Sequence, residues 1–229
     1  LIRIERSGLQ LRHAPAWLQQ RGLNTQNLRQ ALGSGLAWEQ PLVTVYGKQH
    51  RTPRLTCWVA DPGCSYRYSG LQQRIHPWTE ELSLLRELLH EQLGVRFNSL
   101  LLNRYRDGAD CMGWHADDEP ELDVHAPIAS LSLGVARDLR FRPRQGGEAP
   151  FAINLADGDL LVMDPPSQRH WQHALPARAR VVAERINLTF RVIQPSTAMQ
   201  SISTRAPLGR AATSTQARAG DTPAPNTSA

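Results

Sequence analysis

Arg185-Ile186-Asn187-Leu188-Thr189-Phe190-Arg191 alternates without a break: odd positions are polar and even positions apolar. That is the period of a strand with two different faces. One face packs into a core, and the other delivers two arginines and an asparagine to a pocket. Guanidinium groups buried without partners are costly, and a small dicarboxylate removes that cost. Asn103 and Tyr105 keep the same two-residue register on another segment and add neutral donors to the same anion. The competing reading is an edge strand with two surface salt bridges.

Outward from this segment the chain is a succession of similar ones. From Phe97 onward, SLLLNRY, PIASLSL, DLRFRPR, FAINL, GDLLVM and RVVAERINLTFRVI are separated by closely spaced turn signals, which predicts a sandwich or barrel. Upstream, residues 78–94 form a helix capped by Thr79 and stopped by Gly94, with Leu82, Leu85, Leu88, Leu89 and Leu93 on one side. Residues 24–34 form a shorter helix in which Leu28 and Leu32 share a face, ended by Gly33 to Gly35. Segments 41–47 and 54–60 read as short strands, and Asp61-Pro62-Gly63 as a turn. Residues 1–22 are basic without a clear period. From Pro195 to Ala229 the composition shifts to Ser, Thr, Ala, Pro and Gly, the signature of a disordered tail.

The 229 residues suffice for one substantial core, and the hydrophobic fraction is 41%. No apolar run reaches the length of a membrane span and no leader pattern opens the chain, so the expectation is a cytoplasmic protein without membrane contact. No heptad or large apolar patch calls for an obligate protein partner, and a monomer is expected. Cys57, Cys64 and Cys111 fit neither a disulfide framework nor a zinc knuckle and read as reduced thiols, with a Cys57–Cys64 pair as the alternative. The net charge is +5, and Lys48 is the only lysine among the 26 basic side chains. Arginine suits phosphate contacts because its planar fork meets two oxygens at once.

His115-Ala116-Asp117 adds a redox-capable centre. In extended chain the histidine and aspartate project to the same side. A histidine from a neighbouring strand completes a face of two imidazoles and one carboxylate that holds iron(II) and leaves the other face open, the arrangement of an oxygenase. His173 is that histidine, with His170 three residues before it. Taken singly, each histidine also fits a surface or hydrogen-bonded core position.

The chain resembles the AlkB family of iron(II)- and 2-oxoglutarate-dependent dioxygenases, most nearly its alkylated-DNA-repair demethylases. The resemblance runs through Asn103-Arg104-Tyr105, His115-Ala116-Asp117-Asp118-Glu119, Pro127-Ile128-Ala129-Ser130, His173 and Arg185 to Arg191, and more weakly back to Val45-Tyr46-Gly47-Lys48, covering about residues 40–194. It implies a mainly β fold, a double-stranded β-helix or jelly roll with an N-terminal α/β nucleotide-recognition lid. The segments would be an extension and helix at 1–40, the lid and its support helix at 41–96, the catalytic core at 97–194 and the tail at 195–229. It implies that His115, Asp117 and His173 ligate iron, and that Asn103, Tyr105, Arg185, Asn187 and Arg191 hold 2-oxoglutarate by its two carboxylates.

For the substrate, the resemblance makes Tyr46 a wedge that fills the gap left by a flipped base; a phenylalanine is familiar there, and tyrosine keeps the ring. Tyr66 and Tyr68 would clamp a cationic methylated base by stacking and cation–π attraction. Glu119 would meet the exocyclic amino group of the lesion, and Asp118 would orient a pocket arginine. Lys48, Arg51 and Arg54 would contact phosphates, which position a strand without reading it. The implied reaction is oxidative demethylation of 1-methyladenine and 3-methylcytosine in DNA with Fe(II), O2 and 2-oxoglutarate, releasing formaldehyde, succinate and CO2. RNA is a further candidate partner. The alternatives are an oxygenase of the same superfamily acting on RNA or on a non-nucleic-acid substrate, and a nucleic-acid-binding protein without catalysis.

Overall fold

A computed structural model describes residues 1–45, 47–64, 67–68, 71–72 and 74–194, the side chains of 43–45, 67–68 and 71–72 excepted. The expected tail, Tyr46, Tyr66 and the side chain of Tyr68 lie outside the described residues.

The chain opens with a hairpin, β1 (Ile2–Arg6) and β2 (Leu9–Ala14), followed by α1 (Thr25–Gly35). A separate ribbon, β3 (Leu42–Val45) and β4 (Lys48–Arg51), precedes β5 (Leu55–Ala60). Three two-residue strands follow, β6 (Arg67–Tyr68), β7 (Leu71–Gln72) and β8 (Ile75–His76), and then α2 (Glu80–Leu93). The remainder is almost all strand: β9 (Ser99–Tyr105), β10 (Met112–His115), β11 (Ile128–Gly134), β12 (Arg137–Pro143), β13 (Phe151–Leu155) and β14 (Leu160–Asp164). A short turn of helix, α3 (Ser167–His170), leads into β15 (Trp171–Leu175), and β16 (Arg185–Arg191) closes the series.

Two sheets result. The major one has the order β1-β2-β14-β11-β16-β9-β5-β8, and the minor one β10-β15-β12-β13. Together they form a jelly-roll core. Between them lie Leu9, Leu11, Leu161 and Met163 from the major sheet and Phe141, Leu155, Trp171 and Leu175 from the minor sheet. The helices cover the opposite face of the major sheet. Leu82, Leu85 and Leu89 of α2 and Leu32 of α1 pack on Leu100, Leu102, Ile186, Leu188 and Phe190. The even residues of β16 therefore face helices, and its odd residues face the second sheet. Both faces are buried, and the polar side is enclosed rather than solvated.

Both helices follow their local signals. The Asn24 side chain accepts the Asn27 N–H at 2.9 Å to start α1, and Thr79 caps α2. Gly94 stops α2 at φ +70°, with its N–H donating to the His90 carbonyl. The first 22 residues differ from expectation. Ile2 and Ile4, then Leu9 and Leu11, alternate about a turn at Gly8, and the hairpin joins the major sheet through β2–β14 pairing. The stretches 1–40, 41–96 and 97–194 thus all contribute strands to one sheet. The three cysteines are free thiols. Among the described residues no helix is long and apolar enough to cross a membrane.

Leu188 is fully buried at the centre of the major sheet, whereas Val182 is 88% exposed. Leu188→Ala should lower unfolding stability by about 3 kcal/mol, and Val182→Ala should change it by less than about 0.5 kcal/mol, measured by urea denaturation.

Candidate active site

The open mouth between the sheets is lined from both sides. β9, β11, β14 and β16 supply Asn103, Tyr105, Ser130, Met163, Arg185, Asn187, Thr189 and Arg191, and β10, β12 and β15 supply Met112, His115, Leu139, His173 and Leu175, with Asp117 just past the end of β10. All eight residues expected to hold metal and anion line this one cavity.

His115 and His173 face each other as register partners on β10 and β15, with ring centroids 4.2 Å apart. His115 Nδ1 lies 2.9 Å from the Gly113 carbonyl. A carbonyl only accepts, so Nδ1 carries the proton and Nε2 keeps its lone pair for a metal. Asp117 Oδ1 is 3.7 Å from His115 Nε2, and its Oδ2 is 4.0 Å from His173 Nε2. One donor atom from each of the three residues lies within 4.8 Å of the others. His170 is not part of this group; its ring packs against Gly8, where a Cβ would come within 2.7 Å.

The protonation states suit a metal. Burial lowers the His173 pKa to about 3, helped by neighbouring His115, so the imidazole is neutral at physiological pH. Burial alone would raise the Asp117 carboxyl, but Arg191, His173 and His115 outweigh it and hold the group below the ordinary carboxylate value. Arg191 donates to Asp117 Oδ1 at 2.7 Å, and both side chains are only 3% exposed.

At the other end of the cavity Arg185 is 1% exposed. Burial pulls its pKa down to about 10, which leaves it a cation at neutral pH. One terminal nitrogen donates to Ser132 Oγ and Asn187 Oδ1, both at 2.9 Å, while its Nε has no hydrogen-bond partner among the described residues, nor does the guanidinium form an ion pair there. A buried cation held, among the described residues, by neutral dipoles and the Tyr105 ring 5.7 Å away fits an anionic ligand, which supplies the missing countercharge. Asn187 is committed to this arrangement. It accepts from Arg185 and from Ser130 Oγ and donates to Thr189 Oγ1 at 2.9 Å, so it organises the arginine more than it presents a free donor. Ser130, Ser132 and Thr189 were assigned no role from sequence. Their signal was the alternation of β11 and β16, which turns every second residue inward.

The substrate-side residues divide. Lys48 and Arg51 are exposed on the β3–β4 ribbon, which turns through Gly47 at φ +75°. Arg54 corrects its expected phosphate role. It is 3% exposed beneath the sheet, and its Nε donates to Asn103 Oδ1 at 2.7 Å. A buried guanidinium cannot reach a nucleic-acid backbone, and its bond leaves the Asn103 Nδ2 to donate into the cavity. Asp118 accepts from Arg144 at 2.6 Å in an exposed ion pair. Glu119 sits half-buried with Asp118 on a groove next to the metal cluster, on the other side of Asp117 and Arg191.

A jelly roll with two imidazoles and a carboxylate beside a buried anion pocket defines a non-haem iron oxygenase. Residues 10–191 match the model of the 2OG-Fe(II) oxygenase superfamily. The chain is 45% identical over 161 residues to the mouse DNA oxidative demethylase ALKBH2, covering 67% of each chain. It is 43% identical to the human ALKBH2 over 158 residues, or 66% of this chain and 60% of that one. It is 36% identical over 167 residues to the rat alpha-ketoglutarate-dependent dioxygenase alkB homolog 3, or 69% of this chain and 56% of that one. The solved structure of OsALKBH1 superposes with a TM-score of 0.53 at 20% identity over 82% of this chain and 99% of that one. An oxygenase of the same superfamily from Burkholderia pseudomallei gives 0.52 at 17% identity, over 79% of this chain and 84% of that one. The matched region spans between 56% and 67% of the length of the three curated relatives. The chain belongs to the 2OG-Fe(II) oxygenase superfamily and, within it, to the AlkB family. Its cofactor is Fe(II), and its co-substrates are 2-oxoglutarate and O2.

Two outcomes follow from the electrostatics. His173 and Asp117 both have folded pKa values below their ordinary ones, so at low pH the unfolded chain binds more protons than the folded one. In EDTA, stability should fall as pH drops below about 6.5, through protonation of His173, with Asp117 adding to the loss below about 4. His173→Gln should flatten the upper part of that slope in denaturant titrations. Arg185→Gln should raise the 2-oxoglutarate dissociation constant, measured calorimetrically with Mn(II) present, by roughly 10- to 100-fold.

Proposed function

We propose that this enzyme removes methyl groups from the nitrogens of DNA bases by oxidation, with 1-methyladenine and 3-methylcytosine as substrates. One observation carries the reading: the complete metal and anion constellation occupies a single cavity in a chain 45% identical to a DNA oxidative demethylase. Bound Fe(II), with 2-oxoglutarate and O2, supplies the oxidant that hydroxylates the N-methyl carbon, whose hydroxymethyl group then leaves as formaldehyde.

The chain's own residues arrange that chemistry. His115, Asp117 and His173 would hold the metal, with burial keeping His173 neutral and Arg191 keeping Asp117 ionised at neutral pH. Arg185 takes the far carboxylate of 2-oxoglutarate, and Arg191, near the metal, takes the other end. Asn103 Nδ2 and Tyr105 add neutral donors. Met112, Leu139, Met163 and Leu175 form the apolar part of the wall and keep water from the reacting atoms. No side chain has to act as a general acid or base.

The methyl groups of these lesions sit on the Watson–Crick edge, so the base has to leave the stack before it reaches the cavity, and the lesion itself lowers that cost. The exposed ribbon carrying Lys48 and Arg51 is the phosphate-contacting element, and Tyr46, two residues before Lys48 in the sequence, is the wedge. Tyr66 and Tyr68 clamp the extruded base, Glu119 meets its amino group, and Asp118 holds Arg144 at the rim.

A DNA oligonucleotide with a single 1-methyladenine, incubated with protein, Fe(II), ascorbate and 2-oxoglutarate, should lose one methylene mass only when 2-oxoglutarate is present. His173→Ala should abolish the loss and weaken metal binding. An unchanged DNA mass, alongside demethylation of a matched RNA oligonucleotide, would overturn the DNA assignment.

A further inference from the structure

The N-terminal hairpin lies far from Asp117 in sequence, yet a short chain of hydrogen bonds joins them. β10 stops at His115, and Asp117 follows in irregular chain, so no strand neighbour takes its N–H. The residue is 5% exposed, and an unpaired N–H there would be costly. The acceptor is Gln168 Oε1 at 3.0 Å. The other end of the same carboxamide, Nε2, lies 3.3 Å from Met163 Sδ on β14. Gln168 thus spans from the major sheet to the segment carrying the metal-binding carboxylate. Its own position is set by the residue before it. Ser167 is 2% exposed, and its hydroxyl accepts from Gln10 N at 2.9 Å and donates to Gln10 O at 3.0 Å. The start of β15 is held likewise, with Trp171 Nε1 donating to the Ser7 carbonyl at 2.8 Å.

We propose that Gln168 is a positioning residue for the metal ligand Asp117, and that the N-terminal hairpin holds it in place through Ser167. Asp117 is pulled from one side by Arg191, and its carboxylate has to face two imidazoles at once. Anchoring its backbone N–H fixes where the side chain starts, so that rotation about its two torsions is enough to place one oxygen towards the metal. Without that anchor, the Arg191 ion pair is free to draw the carboxylate away from the histidines. The inference rests on the metal-site reading of His115, Asp117 and His173.

The test is Mn(II) affinity, read by electron paramagnetic resonance of the free ion, for purified full-length protein. Gln168→Leu, which removes the acceptor at similar volume, should weaken Mn(II) binding about tenfold. The thermal midpoint in EDTA should serve as the measure of any purely structural loss. Gln168→Glu keeps an acceptor oxygen and should bind Mn(II) at least as tightly as wild type. Ser167→Ala should weaken binding in the wild-type background and add nothing once Gln168 is leucine, the signature of action through one residue. Mn(II) affinity of Gln168→Leu within twofold of wild type would overturn the proposal, as would a Glu variant as weak as the Leu variant. Failure of wild type to bind Mn(II) more tightly than His173→Ala would instead overturn the metal site itself.

Discussion

A guanidinium 1% exposed, with no ion pair among the described residues, constrains everything around it. Arg185 cannot leave the interior, because Ile186, Leu188 and Phe190 on the same strand are locked beneath the helices. The strand is thus anchored by its apolar face and forced to present its polar face inward. Ser132, Asn187, Ser130 and Thr189 then form a layer of neutral dipoles that lowers the cost of the charge without neutralising it. What is left over is affinity for an anion. The fold stores that affinity as an incompletely solvated cation, and the helices bear the stabilising load that the pocket side cannot.

The division of labour between the two faces of the major sheet explains the layout. The helix-covered face is a continuous aliphatic cluster. The inter-sheet face is apolar towards β12, β13 and β15, where Phe141, Leu155 and Trp171 pack, and polar at the mouth. The metal group lies at that mouth, with His115 and His173 on the minor sheet and Asp117 tied by its ion pair to Arg191 on the major one. Its geometry therefore depends on how the two sheets are spaced, which makes any contact spanning them, such as that of Gln168, consequential.

Most of this was legible because local chemistry and tertiary context agreed. The alternation through Arg185 to Arg191 fixed which residues point together, and His115 with Asp117 followed from spacing alone. His173 rather than His170 emerges because strand pairing places His173 opposite His115. The N-terminal hairpin was hidden by its charges. Ile2, Ile4, Leu9 and Leu11 alternate, but arginine and glutamate between them, in strands of five and six residues, read as basic chain until β14 supplies the partner. Arg54 was misread for a related reason. Arginines at close spacing look like a phosphate-binding set, and nothing local distinguishes the one that the bend before β5 buries against Asn103. Gln168 carried no signal, since its significance depends on an N–H contributed from 51 positions away.

Two of the metal ligands, His173 and Asp117, are already in the states that metal binding requires. A site whose carboxylate were protonated, or whose imidazole were charged, would have to release protons on loading, and its affinity would follow pH steeply near neutrality. Here burial keeps His173 neutral, while Arg191 and the two histidines keep Asp117 ionised against that same burial. Low dielectric thus acts oppositely on the two kinds of ligand, and the arginine corrects only the one that needs it. The Arg191–Asp117 pair has a second consequence. A cation fixed beside the carboxylate weakens its attraction for a metal, yet the same cation lines the cavity in which the proposed co-substrate carboxylate would bind. With the anion bound there, part of the charge that opposes the metal alone would be offset, and the arrangement would favour metal and co-substrate together over either by itself.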